Sequence, residues 1–186
     1  MRAALVTMLV LAAAGTASAQ QQQQQSAWYA GGTVGESWVN YELVDGMTPA
    51  AGGIVGFRIS PTFSVEGEIT QGARKLTRRI AGQFAYEYSP GTTVSVLGVW
   101  KSTAPARVGI AGYTGVTIGN YSSGFVGAGQ RGAGGDQSVG MTGGLMFPIR
   151  IAGSLSLAPD VRVAFESAGG EPAFSARGGV RVLWGF

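Results

Sequence analysis

The chain has 186 residues, a length that suits one domain. Glycine occupies 32 positions and charged residues only 12%, while hydrophobic residues stand at 45%, so the composition is that of a folded chain with few surface charges. There is no cysteine and no histidine, which excludes disulfides, thiolate metal sites and Ser-His-Asp or Cys-His catalysis, and a net charge of +3 gives no argument for nucleic acid.

Met1 to Ala19 reads as a secretory signal peptide. Arg2 supplies the positive start, Ala3 to Ala14 is an apolar run broken only by Thr7, and Ala17-Ser18-Ala19 is a small-residue cleavage motif. The run falls short of the ~20 residues that span a bilayer as a helix. Residues 20–26 form a Gln-rich flexible leader with nothing to bury, and residues 27–186 form the remaining unit.

From Ala27 onward the hydrophobic period is two, which predicts strands. The first, about Trp28 to Trp38, alternates weakly through Ala30, Gly32 and Val34. Val55, Phe57 and Ile59 alternate with Gly56 and Arg58; Phe63, Val65 and Ile69 alternate with Ser64, Glu66 and Glu68. Val94, Val96 and Trp100 oppose Ser95 and Lys101, and Val108, Ile110 and Val116 oppose Arg107, Tyr113 and Thr117. Val139, Met141 and Leu145 follow, then Leu157, Val161, Val163 and Phe165 against Asp160, Arg162 and Glu166. The last strand sets Val180, Val182, Trp184 and Phe186 against Arg177, Arg181 and Leu183. The total is eight strands. Short turns at Ser60-Pro61, Lys101 to Pro105 and Pro148 to Gly153 alternate with longer loops at about Tyr41 to Pro49, Ala73 to Gly91, Gly119 to Asp136 and Ser167 to Ala173. That order predicts an all-β, eight-stranded antiparallel up-and-down barrel.

Period two alone leaves open which face is inside. Two features point to a transmembrane barrel with apolar residues outward. First, Arg58, Glu66, Glu68, Arg107, Asp160, Arg162, Arg177 and Arg181 share the polar face with small residues. Eight strands enclose a space that side chains just fill, so these charges are expected to pair inside the lumen. A solvated outer face would carry more lysine, yet only Lys75 and Lys101 occur. Second, Phe57, Phe63, Trp100 and Phe147 lie beside short turns, Trp184 and Phe186 lie near the chain end, and Trp28 and Tyr29 open the first strand. Together they predict an aromatic girdle at one membrane interface, with Trp38, Phe165 and Tyr86 or Tyr88 as the other. A soluble ligand-binding barrel with its apolar face inward is the alternative.

The final segment, GGVRVLWGF, resembles the C-terminal signature strand of bacterial outer-membrane proteins. With the export signal, the eight strands and the opening WYAGGTVGESW, residues 27–186 resemble the small OmpA/OmpX-like barrels, the outer membrane protein β-barrel domain. The resemblance implies a monomeric barrel in the bacterial outer membrane, in contact with its lipids and lipopolysaccharide. It also implies that Val180, Val182, Trp184 and Phe186 act as a signal read by the barrel-assembly machinery.

Other motifs are weaker. Gly127-Ala128-Gly129-Gln130-Arg131-Gly132 fits a dinucleotide pattern but lacks the following helix, so it is assigned to a flexible loop. Arg74, Lys75, Arg78 and Arg79 place four cations where phosphates of lipopolysaccharide would lie. The expected role is structural or surface interaction, with no catalysis, no cofactor, no metal and no nucleic-acid partner. A narrow pore for small solutes is the alternative. A lipid-modifying enzyme ranks lower, because histidine, the usual general base, is absent.

Overall fold

The computed structural model describes residues 27–81, 84–102, 108–127 and 130–185. The export signal, the Gln-rich leader, Arg107 and Phe186 lie outside the described residues. The strands are β1 (Trp28–Tyr41), β2 (Val44–Arg58), β3 (Phe63–Gly72), β4 (Leu76–Ala81), β5 (Phe84–Lys101), β6 (Ala111–Gly127), β7 (Gln130–Met146), β8 (Ile149–Ala152), β9 (Leu155–Ala168) and β10 (Glu171–Gly185). β4 prolongs the line of β3 and pairs with the first turn-side residues of β5, and β8 prolongs β7 and pairs with the start of β9. The ten segments therefore make eight barrel strands. All pairings are antiparallel, and β10 pairs with both β9 and β1, so the sheet closes. Closure runs from Tyr29↔Gly185 to Tyr41↔Ala173.

The alternation faces apolar side chains outward. Val161 is 54% exposed and Met141 65%, while Arg181 is 0% exposed. Val55, Val96, Val116, Ile118, Val139 and Val163 continue the outer belt around the cylinder. A continuous apolar wall of this extent suits lipid, not water. Its height is consistent: Trp28 and Trp38 are ten residues apart on the outward face of β1. At ~3.3 Å per residue and a tilt of about 40°, that spacing is roughly 25 Å, the height of a transmembrane apolar band. The outward Thr114 removes its hydroxyl from lipid by donating to the Thr142 carbonyl at 3.2 Å. These observations overturn the soluble alternative.

The interior is layered. Leu97, Val99, Ala111, Tyr113, Met146 and Ala158 form an apolar cluster in the half nearer the short turns, with Tyr29, Ile54 and Leu183 beside it. Inward glycines make room for the larger rings. A Cβ at Gly56 would lie 2.1 Å from the Tyr29 ring, and one at Gly144 would lie 2.6 Å from the Tyr113 hydroxyl.

Three of the four expected long loops prove to be paired strand almost to their tips, and the fourth becomes a tight turn. β1 and β2 are joined by Glu42 and Leu43 alone, with Glu42 at φ 47°. Gly169 and Gly170, both at positive φ, turn β9 into β10, a conformation glycine adopts without penalty. The expected third loop holds the ends of β6 and β7, and Gln130 already belongs to β7. These hairpins stay ordered because Val39, Tyr41, Val44, Leu76, Tyr86, Tyr121 and Ala168 pack together inside them, with Tyr88 and Ala173 alongside. The short turn expected at Pro148 to Gly153 is likewise mostly strand β8, reversing at Gly153 with φ 50°.

Substituting Val161→Arg, near the middle of the outward belt, is expected to destabilise the barrel in lipid vesicles by about 2–4 kcal/mol. Thr77→Arg, on an exposed hairpin, is expected to leave it within about 0.5 kcal/mol. Urea-induced unfolding followed by tryptophan fluorescence distinguishes the two, and equal effects would contradict the assigned belt.

Candidate functional site

Glu66 and Glu68 share the inner face of β3, Asp160 and Arg162 that of β9, and Arg177 and Arg181 that of β10. Each pair is separated by an even number of residues, so the pleat points both members inward. β1 and β2 lie between β3 and β10. The small inner residues Gly31, Thr33 and Gly35 of β1 and Gly52 and Gly56 of β2 leave the lumen open for arginines to reach across.

Glu68 is the centre of the layer. Arg162 donates to both its oxygens, at 3.0 and 2.5 Å. Arg177 Nη2 donates to Oε1 at 2.9 Å and Arg181 Nη2 to Oε2 at 3.2 Å. Arg181 Nη1 also donates to Glu66 Oε2 at 2.8 Å. Asp160 lies 3.3 Å from Arg181 Nε and 3.8 Å from Arg177 Nη2. Three carboxylates thus face three guanidinium groups, all at most 9% exposed. Two tyrosines complete the set. Tyr29 donates to Glu66 Oε1 at 2.6 Å and Tyr113 to Asp160 Oδ2 at 2.8 Å. The Arg181 guanidinium carbon lies 4.7 Å from the centre of the Tyr113 ring. Charges taken this far from water persist only when paired and hydrogen-bonded, and the layer answers that demand by bridging β3 to β9 and β10, with Asp160 Oδ1, Arg177 Nε and Arg181 Nε left without a hydrogen bond.

Arg58 stands apart from the layer, at the short-turn end. Its guanidinium and the Lys101 ammonium lie 5.4 and 4.9 Å from the Tyr29 ring centre. Arg107 lies outside the described residues. Tyr29 and Tyr113 join the charges as partners that the pattern of charged residues alone does not identify. Tyr29, expected in the girdle, instead points inward and is 1% exposed. The signal was parity: Tyr29 shares its face with Gly31 and Thr33, and Tyr113 shares its face with Thr117.

Around the outer wall, Trp28 packs on Phe57 with ring centres 4.9 Å apart, and Phe63 on Trp100 at 5.2 Å. Phe147 is also exposed at this end. At the other end of the belt Phe174 lies between Trp38 and Phe165, at 5.6 and 4.9 Å. Tyr86 and Tyr88 do not join it: they turn inward, Tyr86 against Phe125 and Tyr88 against Tyr121. Beyond this girdle, Tyr41 and Tyr121 share a hydroxyl contact at 3.2 Å, and Tyr86 donates to Glu42. Burial first, then these hydrogen bonds, push the Tyr41 and Tyr86 phenols above their usual range.

Arg74, Lys75, Arg78 and Arg79 are all exposed on the long-hairpin end. Arg74, Lys75 and Arg78 line an open concavity of about 530 Å³ beside Val44 and Asp45. Lys75 pairs with Glu87 at 2.7 Å and Arg78 donates to the Leu43 carbonyl at 3.0 Å. Val180, Val182 and Trp184 alternate with the buried Arg181 and Leu183 along β10.

A family model described as outer membrane protein beta-barrel domain matches residues 7–99. The fold is similar to Neisserial surface protein A, with a TM-score of 0.58 and 11% identity over 88% of this chain and 100% of that one. It is also similar to the N-terminal β-barrel domain of Pseudomonas aeruginosa OprF, at 0.56 and 10% over 87% and 100%. Ail, the attachment invasion locus protein of Yersinia pestis, scores 0.53 at 13% identity over 87% and 100%. At such identities the likeness is one of fold. No curated protein sequence matches.

Glu68→Gln is expected to destabilise the folded barrel by about 3–5 kcal/mol, because one neutral amide cannot satisfy three buried arginines. Lys75→Ala, which removes a solvent-exposed pair, is expected to cost less than about 1 kcal/mol. Equilibrium unfolding from vesicles checks both, and a neutral Glu68→Gln would contradict a dry, tightly coupled layer.

Proposed function

The chain belongs to the outer membrane protein beta-barrel domain family, and on that premise we propose that it is a closed, non-conducting and non-catalytic barrel of the bacterial outer membrane that acts through its exposed hairpins. The observation that carries this reading is the charge layer from β3 to β9 and β10, which fills the cross-section where a solute path would run. The Tyr41, Tyr88 and Tyr121 cluster supports it by filling the long-hairpin end. The carboxylates that hydrolysis would require as proton donors are held by arginines, which favours structural work over catalysis. Closure leaves no strand edge for a second copy, which favours a monomer.

In this reading Met1 to Ala19 directs export and is removed. The outward stripe Val180, Val182, Trp184 and Phe186 is the segment handed to the assembly machinery. The long hairpins face the outside, and Arg74, Lys75, Arg78 and Arg79 meet the phosphates of lipopolysaccharide. Arginine suits that task because its planar fork binds a phosphate through two N–H groups.

Planar-bilayer recordings of the purified barrel are expected to show no steady single-channel current. Sustained openings would favour the narrow pore instead. Changing Arg74, Lys75, Arg78 and Arg79 together to serine is expected to weaken binding of the detergent-solubilised barrel to immobilised lipopolysaccharide. The loss should be about 1 kcal/mol for each cation removed. Unchanged binding, or equal binding to dephosphorylated lipopolysaccharide, would dismiss the phosphate contact.

A further inference from the structure

Glu36 interrupts the apolar belt on the outer wall. It alternates with Val34 and Trp38 on the outward face of β1 and is exposed, while Tyr29, Thr33 and Val39 point into the lumen. Trp38 belongs to the girdle at the long-hairpin end, so Glu36 lies two residues inside it. At ~3.3 Å per residue and a tilt of about 40°, that is roughly 5 Å below the ring. The cost of a lipid-facing charge falls toward the interface, so the barrel tolerates a carboxylate at this depth. Among the described residues Glu36 has no hydrogen bond and no ion pair. Its neighbours across the two ladders are Pro49 on β2 and Gly178 on β10, neither of them charged. A Cβ at Gly178 would meet nothing within 4 Å, so the wall beside the carboxylate is open on that side. Above stands the Trp38 ring, braced by Phe174 at 5.6 Å. The wall therefore holds a notch with a glycine floor, a carboxylate at one side and an indole above it.

We propose that this notch holds the primary ammonium of a lipid headgroup of the ethanolamine type. The ammonium donates to the Glu36 carboxylate and lies against the Trp38 ring, and the acyl chains run down the wall over Val34 and Val180. Charge selects a cation, because an ionisable group on the lipid side of a membrane protein calls for a partner and the wall beside it supplies none. The indole selects an organic ammonium over a hydrated metal ion, because an aromatic face attracts a partly desolvated onium group. The carboxylate selects a primary over a quaternary ammonium, because only the primary one has N–H groups to donate. A second copy of the chain fits poorly. A two-fold contact on this patch would set one Glu36 against the other, and the described lysines and arginines stand in the lumen, on the long hairpins or at the short turns. The site is independent of the phosphate contact proposed for the hairpins, which lies beyond the girdle and takes a charge of the opposite sign.

The test is native mass spectrometry of the detergent-folded full barrel, released from micelles doped with equal amounts of phosphatidylethanolamine, phosphatidylcholine and phosphatidylglycerol of the same acyl chains. One ethanolamine lipid is expected to stay bound at least about tenfold more than either of the others, as a hydrogen bond to a charged group implies. Glu36→Gln should abolish that preference while the barrel keeps its heat-dependent gel mobility. Gly178→Leu fills the notch without touching the carboxylate and is expected to act in the same direction, which keeps the test open should Glu36→Gln fail to fold. Changing Arg74, Lys75, Arg78 and Arg79 together to serine should leave the ethanolamine lipid bound. Equal retention of the three lipids would overturn ammonium recognition, and choline lipid held as well as ethanolamine lipid would overturn the primary ammonium. Retention unchanged by both notch variants, or lost with the four hairpin cations, would place the site elsewhere. A dimer that Glu36→Gln removes would overturn the lipid in favour of a contact between copies.

Discussion

No water reaches the hydrocarbon core of a bilayer, so a strand edge left open there would strand a row of N–H and C=O groups. The pairing of β1 with β10 is the bond set on which the rest depends, and it is continuous from Tyr29↔Gly185 to Tyr41↔Ala173. Once that seam is closed, the two faces of every strand are committed. One set of alternate residues must meet lipid and the other must meet the lumen, and a slip of one residue would exchange them. The seam places a glycine on at least one side of several pairs: Gly31 faces Leu183, Gly35 faces Gly179, and Glu36 faces Gly178. Inner side chains are short along the middle of β1, at Gly31, Thr33 and Gly35, and the space they leave is taken by arginines of β9 and β10.

Eight strands also fix the width. The lumen is too narrow to hold bulk water and too wide to be filled by glycine and alanine alone. The chain meets this with layers of different chemistry. Leu97, Val99 and Met146 fill the half nearer the short turns, the Glu68-centred layer fills the middle, and the tyrosines of the long hairpins fill the other end. The middle layer is not fully saturated: Asp160 Oδ1, Arg177 Nε and Arg181 Nε are buried without a hydrogen bond.

The outward hairpins obey the same alternation beyond the membrane band. Tyr41, Tyr121 and Tyr88 point into the cylinder while Asn40, Asn120 and Glu87 point away. A small aromatic core thus carries the barrel wall past the outer girdle and presents Arg74, Lys75, Arg78 and Arg79 on a paired framework. The cations are displayed at set spacing, as the proposed phosphate contact requires.

Sequence by itself determined the fold class, because period two is a local property of the chain. Val161, Arg162 and Val163 declare their opposite faces without reference to any partner strand. It also determined orientation, since Arg162, Arg177, Arg181, Glu66 and Glu68 share one parity and a lipid wall cannot carry them. Hairpin length was less legible. Tyr86, Tyr88 and Tyr121 sit among Ser, Gly and Glu, and only their convergence with Tyr41 from three strands reveals a core there. The tertiary structure alone decided that Glu68 takes all three arginines and that Tyr29 and Tyr113 serve the charges. Those facts depend on strand stagger around the closed cylinder. Stagger brings residue 68 within 3 Å of residues 162 and 177, and no periodicity within a single strand encodes which residues meet across it.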